Sequence, residues 1–282
     1  MTGWRVRIGV VCSVGAGPYA GGRENNEDNF LVCQDGRMVW RDDARDRVTE
    51  VPRGPAVLCA VADGMGGHED GEIASAAAVQ TLGQLYARPA SEHSEAALRT
   101  FFLEAHRKLH ARVAAEGPVR MGTTLAAFWL LDGAAAWTNV GDSRLYAWRA
   151  GALERLSRDQ TRAEFARRDG RPEPSSPDNL AQNFVYGSRG LGDNAAVRID
   201  AGVDTGTWML RDGDVLLACS DGLHGWVDDA EIAALLGEHP EPQACANALL
   251  ARALERDSAD NVTVLVVRVH EEGGWDRTLL PA

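Results

Sequence analysis

Basic residues are in short supply in this 282-residue chain: 29 Lys and Arg stand against 41 Asp and Glu, a formal net charge of −12. A protein that grips nucleic-acid phosphates needs a basic face, so a nucleic-acid partner is not expected. A phosphorylated substrate stays open, because bound metal ions would make a site locally positive. Cysteine is also sparse. Its five copies (Cys12, Cys33, Cys59, Cys219 and Cys245) are scattered, with no C-x-x-C pair. Most lie inside apolar runs and read as small core residues of a protein kept in a reducing compartment. A Cys/His cluster of the kind that holds zinc is missing. No apolar run approaches the ~18 residues of a membrane span, and the N-terminus lacks a signal-peptide layout. These absences point to a cytoplasmic protein with no membrane association.

What is present is organised around residues 57 to 67, VLCAVADGMGG. Six apolar residues end on Asp63 and break at once into Gly64, Gly66 and Gly67. An unbroken apolar run bounded by glycine reads as a strand buried on both faces, whose terminal carboxylate leaves the core for a loop. The phrase returns at residues 215 to 222, VLLACSDG, where Asp221 and Gly222 follow the run. A carboxylate beside a core is costly unless a cation or a donor compensates it. Two of them built the same way suggest one shared cation site.

The rest of the chain fits around these two strands. Val6, Ile8, Val10 and Cys12 alternate with Arg5 and Arg7, which predicts an opening strand over residues 5–14. After a glycine-rich turn, the polar block RENNEDN (residues 23–29) leads straight into Phe30, Leu31, Val32 and Cys33, so it sits at a strand mouth. Residues 41–54 are of mixed charge and read as a solvated hairpin tip or excursion. Helices are predicted over residues 71–86 and 94–115, the second capped by Ser94 with Glu95 at the positive end of its dipole. Strands over 123–131, 134–140 and 143–149 are separated by Asp132-Gly133 and Gly141-Asp142. A short helix over 160–168 falls in an irregular, surface-exposed stretch, residues 157–195. Strands over 197–210 and 215–220, helices over 229–236 and 243–255, and a last strand over 262–269 complete the chain. Elements come in blocks rather than strict alternation, which favours largely antiparallel sheets covered by helices.

Acidic residues fall at strand ends or turns at Glu27, Asp28, Asp63, Asp142, Asp221 and Asp260. Oxygen-rich donor sets of this kind suit Mg²⁺ or Mn²⁺. Two such ions ~3.5–4 Å apart activate a water and clamp a phosphoryl oxygen. Singly, an Asp-Gly is an ordinary turn dipeptide; only the combination points to chemistry. The GMGG loop is not followed by G-K-[ST], which excludes a P-loop. The helix opening near Gly71 offers an N-terminus to phosphate, but packing against the site is the preferred reading.

In these blocks the chain resembles the metal-dependent type-2C protein serine/threonine phosphatases, the PPM family, in their bacterial stand-alone form. Residues 23–28 match R-x-x-N-E-D, and residues 63–75 match D-G-M-G-G-H-x-x-G-E-x-A-S. Gly122-Thr123-Thr124 matches G-T-T, and residues 139–144 match N-x-G-D-S-R. Residues 220–223 match S-D-G-L, and residues 260–263 match D-N-x-T. The resemblance implies a role for each position. Asp63 bridges two metal ions, with the Gly64 carbonyl completing one. Asp221 and Asp260 ligate the other. Glu27 and Asp28 hold metal-coordinated waters, and Asp142 helps hold a third, weaker ion. Arg23 binds the substrate phosphate by its guanidinium fork, which lysine cannot reproduce. Arg23, Asp28 and Asp63 form the catalytic set. Some members carry a histidine two residues after the bridging aspartate as leaving-group acid; Met65 stands there in this chain. His68 is nearby and reads as an ordinary loop histidine.

The resemblance further implies an α+β fold, a four-layer α-β-β-α sandwich of two mainly antiparallel sheets flanked by helices. One catalytic domain spans residues 1–282, with a flap at about 157–195. The implied activity is hydrolysis of phosphoserine and phosphothreonine by a metal-activated bridging water, with Mn²⁺ or Mg²⁺ as cofactor. Phosphorylated proteins, the substrates of a cognate bacterial Ser/Thr kinase, are the implied partners of a monomeric enzyme. Two rivals are weighed. A non-catalytic phosphoprotein-binding module would have lost metal carboxylates, and none is missing. A two-metal hydrolase of small phosphate esters or nucleic acid is the other; the acidic balance disfavours nucleic acid, and comparing phosphopeptide with nucleotide turnover separates the rest.

Overall fold

Runs of apolar residues without a polar face become strands covered on both sides. The computed structural model describes residues 3–42, 45–54, 56–65, 71–87, 95–116, 122–172 and 202–272. Seven strands form one sheet in the order β12 (Asp204–Met209), β9 (Ala134–Val140), β8 (Leu125–Leu131), β5 (Val57–Ala62), β2 (Asn29–Gln34), β3 (Arg37–Asp42) and β4 (Arg45–Glu50). Five form the other, in the order β1 (Trp4–Ser13), β14 (Val262–Glu271), β13 (Val215–Cys219), β10 (Arg144–Arg149) and β11 (Ala152–Arg155). A short ribbon pairs β6 (Gly64–Met65) with β7 (Gly122–Thr123). Every pairing among the described residues is antiparallel.

The two-residue period of a strand divides each apolar run between two cores. In β5, Val57, Cys59 and Val61 face the opposing sheet, while Leu58, Ala60 and Ala62 face helices α1 (Gly71–Tyr86) and α2 (Glu95–Glu116). In β13, Leu216 and Ala218 enter the core between the sheets. Val215, Leu217 and Cys219 meet the helices Asp229–Glu238 and Pro242–Glu255 on the other side. The layers are therefore helix, sheet, sheet, helix, as the resemblance implies. Two shorter helices are also present among the described residues: α3 (Arg162–Arg168), and α4 (Asp221–His224), which starts where β13 ends. The longer pair that follows is α5 (Asp229–Glu238) and α6 (Pro242–Glu255).

Several boundaries differ from the sequence reading. Of the two readings of residues 41–54, the solvated hairpin holds over the excursion: β3 and β4 form a regular edge hairpin whose last strand is exposed throughout. Its charges (Arg45, Asp46, Arg47 and Glu50) keep that edge from pairing with another chain. The strand expected over 123–131 is broken at Thr124, where the chain passes from β7 to β8. α3 starts two residues later than expected because Thr161 caps it, its hydroxyl accepting from the Glu164 N–H at 3.2 Å. The proposed Ser94 cap, residues 66–70 with His68, residues 173–195 of the expected flap and residues 197–201 lie outside the described residues. Among the described residues no helix is long and apolar enough to cross a membrane.

Candidate active site

Strand register brings the acids together. Asn29 pairs with Ala62, so Asp28, just before β2, stands beside Asp63, just after β5. Arg144 pairs with Cys219, which sets Asp142 and Asp221 at the same end of the second sheet. Ser13 pairs with Val262 and Cys219 with Val264, so Asp260 opens β14 at that end too. Five carboxylates from distant parts of the chain therefore meet at one edge of the sandwich.

Their mutual effect on protonation records the meeting. Burial, reinforced by repulsion from Asp28, Asp221, Asp142 and Asp260, holds Asp63 well above the ordinary carboxylate range. Burial pushes Asp28 up to about 7, against hydrogen bonds from Ser220 and Thr263, with Asp221 and Asp260 adding repulsion. Asp142 is pushed up to about 8 by burial and then by Asp221 and Asp159. Asp221 rises to about 6 through burial and Asp260, although its hydrogen bond with Asp63 and the charge of Arg23 pull the other way. Arg23 supplies a cation at the mouth, where it holds Asp260 in a two-pronged ion pair.

The supports of these acids come from residues without a charge signal. The Ser220 hydroxyl donates to Asp28 Oδ2 at 2.7 Å and accepts the Thr263 N–H at 2.9 Å. The Asn261 side chain accepts from the Glu27 N–H at 2.8 Å and donates to the Asn25 carbonyl at 2.9 Å. The Glu27 carbonyl accepts from Ser75 Oγ at 2.7 Å and from the Gly64 N–H at 3.2 Å. A Cβ on Gly71 would stand 2.5 Å from the Glu27 carboxylate, and one on Gly64 would stand 2.2 Å from the Gly71 carbonyl. The first turn of α1 therefore packs on Glu27, whose charge meets the positive end of the helix. This agrees with the packing reading of that helix.

On the far side of Asp142, half-buried His224 shares a hydrogen bond with the Asp142 backbone carbonyl at 2.9 Å. Burial drives its imidazole down to about 3, so the ring is neutral at physiological pH. Arg144 turns away from the acids to clasp Asp159 at 2.9 and 2.7 Å, and it shapes the turn from behind. Gln160 holds the same turn by accepting the Gly141 N–H at 2.9 Å and donating its own N–H to the Gly141 carbonyl at 3.0 Å. Sequence reasoning missed His224 and Gln160, whose partners lie 82 and 19 residues away and leave no local pattern. The sequence reading that no His-x-x-x-His pair occurs is wrong: His106 and His110 stand at that spacing in α2, where His106 is buried.

The donor chemistry fits hard divalent cations. The clustered groups are carboxylates, the nearby imidazole of His224 is engaged with backbone, and Cys12 contacts Asp28 only through a long bond to its carbonyl, 3.6 Å. Oxygen ligands of this kind select Mg²⁺ or Mn²⁺ over zinc. Among the described residues no three acidic, histidine or cysteine side chains already form a closed ligand trio. The carboxylates are neighbours that repel one another, with Arg23 drawing Asp260 aside, and a cation is what such a set lacks.

Comparison with known proteins agrees with this geometry. A family model described as Protein phosphatase 2C matches residues 28–255. The serine/threonine phosphatase stp of Listeria innocua is 31% identical over 250 residues, which cover 87% of this chain and 90% of that protein. Protein phosphatase PhpP of Streptococcus pneumoniae is 30% identical over 225 residues, covering 79% of this chain and 89% of that one. Among solved structures, the catalytic domain of the serine threonine protein phosphatase PstP in complex with two manganese ions aligns with a TM-score of 0.73. That alignment has 28% identity and covers 95% of this chain and 100% of the PstP chain. Matched over most of its length by that family model, the chain belongs to the protein phosphatase 2C family.

Proposed function

We propose that this protein is a metal-dependent protein serine/threonine phosphatase, removing phosphate from phosphoserine and phosphothreonine side chains with Mn²⁺ or Mg²⁺ as cofactor. One observation carries the reading: carboxylates from five separate strand ends meet at one edge, four of them raised by burial, with Arg23 bound to the fifth at their mouth. In this reading Asp63, Asp221 and Asp260 ligate the ions directly, and the Gly64 carbonyl adds a further ligand. Glu27 and Asp28 act through water, and Asp142 serves a third, weaker ion. The bound ions would neutralise the acids, activate the attacking water and polarise the phosphoryl group.

The chain's own residues do the rest. Arg23 presents a planar fork that suits a phosphate as well as it suits Asp260, so substrate can take over the guanidinium. Ser220 orients the Asp28 carboxylate, and the Asn261 side chain ties the residue 25–27 backbone to the start of β14. Met65 is apolar and cannot donate a proton to the leaving group from its position. Residues 1–282 would work as one catalytic domain, in the cytoplasm and as a monomer, opposing a bacterial Ser/Thr kinase whose phosphoproteins it dephosphorylates. The named relatives that are serine/threonine phosphatases support this reading.

The test is phosphate release from a phosphothreonine peptide by the parent protein with Mn²⁺, with EDTA, and by Asp221→Asn. Turnover that needs Mn²⁺ and is lost in the variant agrees with the reading. Turnover that persists under chelation would remove its basis.

A further inference from the structure

We infer that Thr124 is a positioning residue that fixes Asp63 and Asp142 relative to each other, and so sets how tightly the acidic edge holds divalent ions. The inference rests on the reading of that edge as a metal site. Thr124 is fully buried where the chain passes from β7 to β8. Its N–H donates to the Asp63 carbonyl at 2.9 Å, and its hydroxyl accepts the Asp63 N–H at 2.9 Å. The Asp63 backbone is thus held from both sides by one residue. The same hydroxyl shares a 2.7 Å hydrogen bond with Ser143 Oγ, the residue after Asp142.

The other branch of the side chain is used as well. Gly141 has φ 107°, a backbone conformation that favours glycine. A Cβ there would come within 2.5 Å of the Thr124 methyl and 2.8 Å of its Cβ. The methyl therefore packs directly on the turn that presents Asp142, while the hydroxyl reaches Asp63 and Ser143. Packing alone would be served equally well by valine, and a hydroxyl buried in a core is unfavourable unless it is bonded. Threonine meets both demands. Its action therefore passes through the Asp63 backbone on one side and through Ser143 Oγ and the Gly141 turn on the other.

The experiment compares parent protein with Thr124→Val, Thr124→Ser and Ser143→Ala by calorimetric titration with Mn²⁺, alongside thermal unfolding in EDTA. Groups that orient metal ligands typically change affinity about 10- to 100-fold when lost. Thr124→Val, which keeps the shape and loses the hydroxyl, is expected to bind Mn²⁺ more weakly within that range. Thr124→Ser, which keeps the hydroxyl and loses only the methyl, is expected to bind more tightly than Thr124→Val. Ser143→Ala is the milder lesion and is expected to weaken only the last ion to bind. Parent-like Mn²⁺ binding by both Thr124→Val and Ser143→Ala would overturn the inference, whatever their melting temperatures. Loss in Thr124→Ser with parent-like binding by Thr124→Val would overturn it too, because packing alone would then account for the residue. Failure of the parent itself to bind Mn²⁺ would instead strike the metal reading on which the inference rests.

Discussion

Arg23 grips Asp260 through two parallel hydrogen bonds, Nε to Oδ1 at 2.8 Å and Nη2 to Oδ2 at 3.0 Å. The side chains are 57% and 35% exposed, so the pair adds little to folding; such surface pairs contribute about 0–1 kcal/mol. Its meaning is chemical. The guanidinium also feels Glu27 and Asp63, so one cation answers several acids at the mouth of the site. A phosphate arriving there offers the same two-oxygen face that Asp260 does.

Replacing Arg23 by Ala or Lys should therefore leave the melting temperature almost unchanged and lower kcat/KM toward a phosphothreonine peptide by about 100-fold, the scale of losing one preorganised transition-state donor. Lysine should rescue little, because an ammonium has no fork. Steady-state kinetics with both variants will check this; full activity in Arg23→Lys would mean that charge alone suffices.

Asp221→Asn should separate stability from activity. The substitution removes one of the repelling charges, so the protein in EDTA should melt higher, by ~2–4 °C for each kcal/mol relieved. The same variant should gain less from added Mn²⁺ and should lose more than about 100-fold in turnover, beyond what loss of an outer-shell group causes. Paired melting curves with EDTA and with Mn²⁺ give both readings.

Stability without metal should depend on pH in a definite direction. Asp221, Asp28 and Asp142 are raised to about 6, 7 and 8, chiefly by burial. In the unfolded chain an aspartate titrates near ~3.9. The folded form therefore binds these protons more tightly, and the stability they contribute is fully present below the unfolded value. It is lost progressively as pH rises above ~3.9 and is gone once the folded values of about 6 to about 8 are passed, so melting temperature in EDTA should fall over that window. Mn²⁺ needs the deprotonated acids, so the stabilisation it adds should grow over the same window. A metal-free melting temperature that climbs with pH there would contradict the crowding of these acids.

Asp214 provides a control away from the site. It is fully buried and accepts from Arg149 at 2.7 and 2.6 Å, from the Trp208 ring N–H at 3.0 Å and from the Arg211 N–H at 2.9 Å. Arg149 lies in β10 and Trp208 in β12, with the guanidinium 4.4 Å from the Trp208 ring centre, so the cluster ties the two sheets together. Asp214→Ala should cost about 3–5 kcal/mol, as expected when one partner of a buried charged cluster is removed. The protein that remains folded should keep the parent kcat. Chemical denaturation and assays below the new melting point will test this.

Much of the molecule was legible in the order of its residues. The runs ending at Asp63 and Asp221 have no polar face, so they had to be covered on both sides, and β5 and β13 each divide their side chains between two cores. Elements came out where periodicity put them, with errors at boundaries such as Thr161 and Thr124, where one side chain's hydrogen bonds decide the end. The sequence leaves the exposed hairpin of β3 and β4 open between a hairpin tip and an excursion, because its charged edge strand resembles a loop in composition.

What the chain determined by itself is a set of local facts: which segments are buried, where glycine breaks them, and that a carboxylate waits at each break. The register of antiparallel pairs then decided that those carboxylates share one edge, and such pairings join residues up to hundreds of positions apart. The grip of Arg23 on Asp260, the packing of Glu27 under α1 and the reach of Thr124 from Asp63 to Ser143 belong to the same class. They follow from distances that exist only after folding, because hydrogen bonding and charge repulsion act over a few ångströms of space, not along the chain.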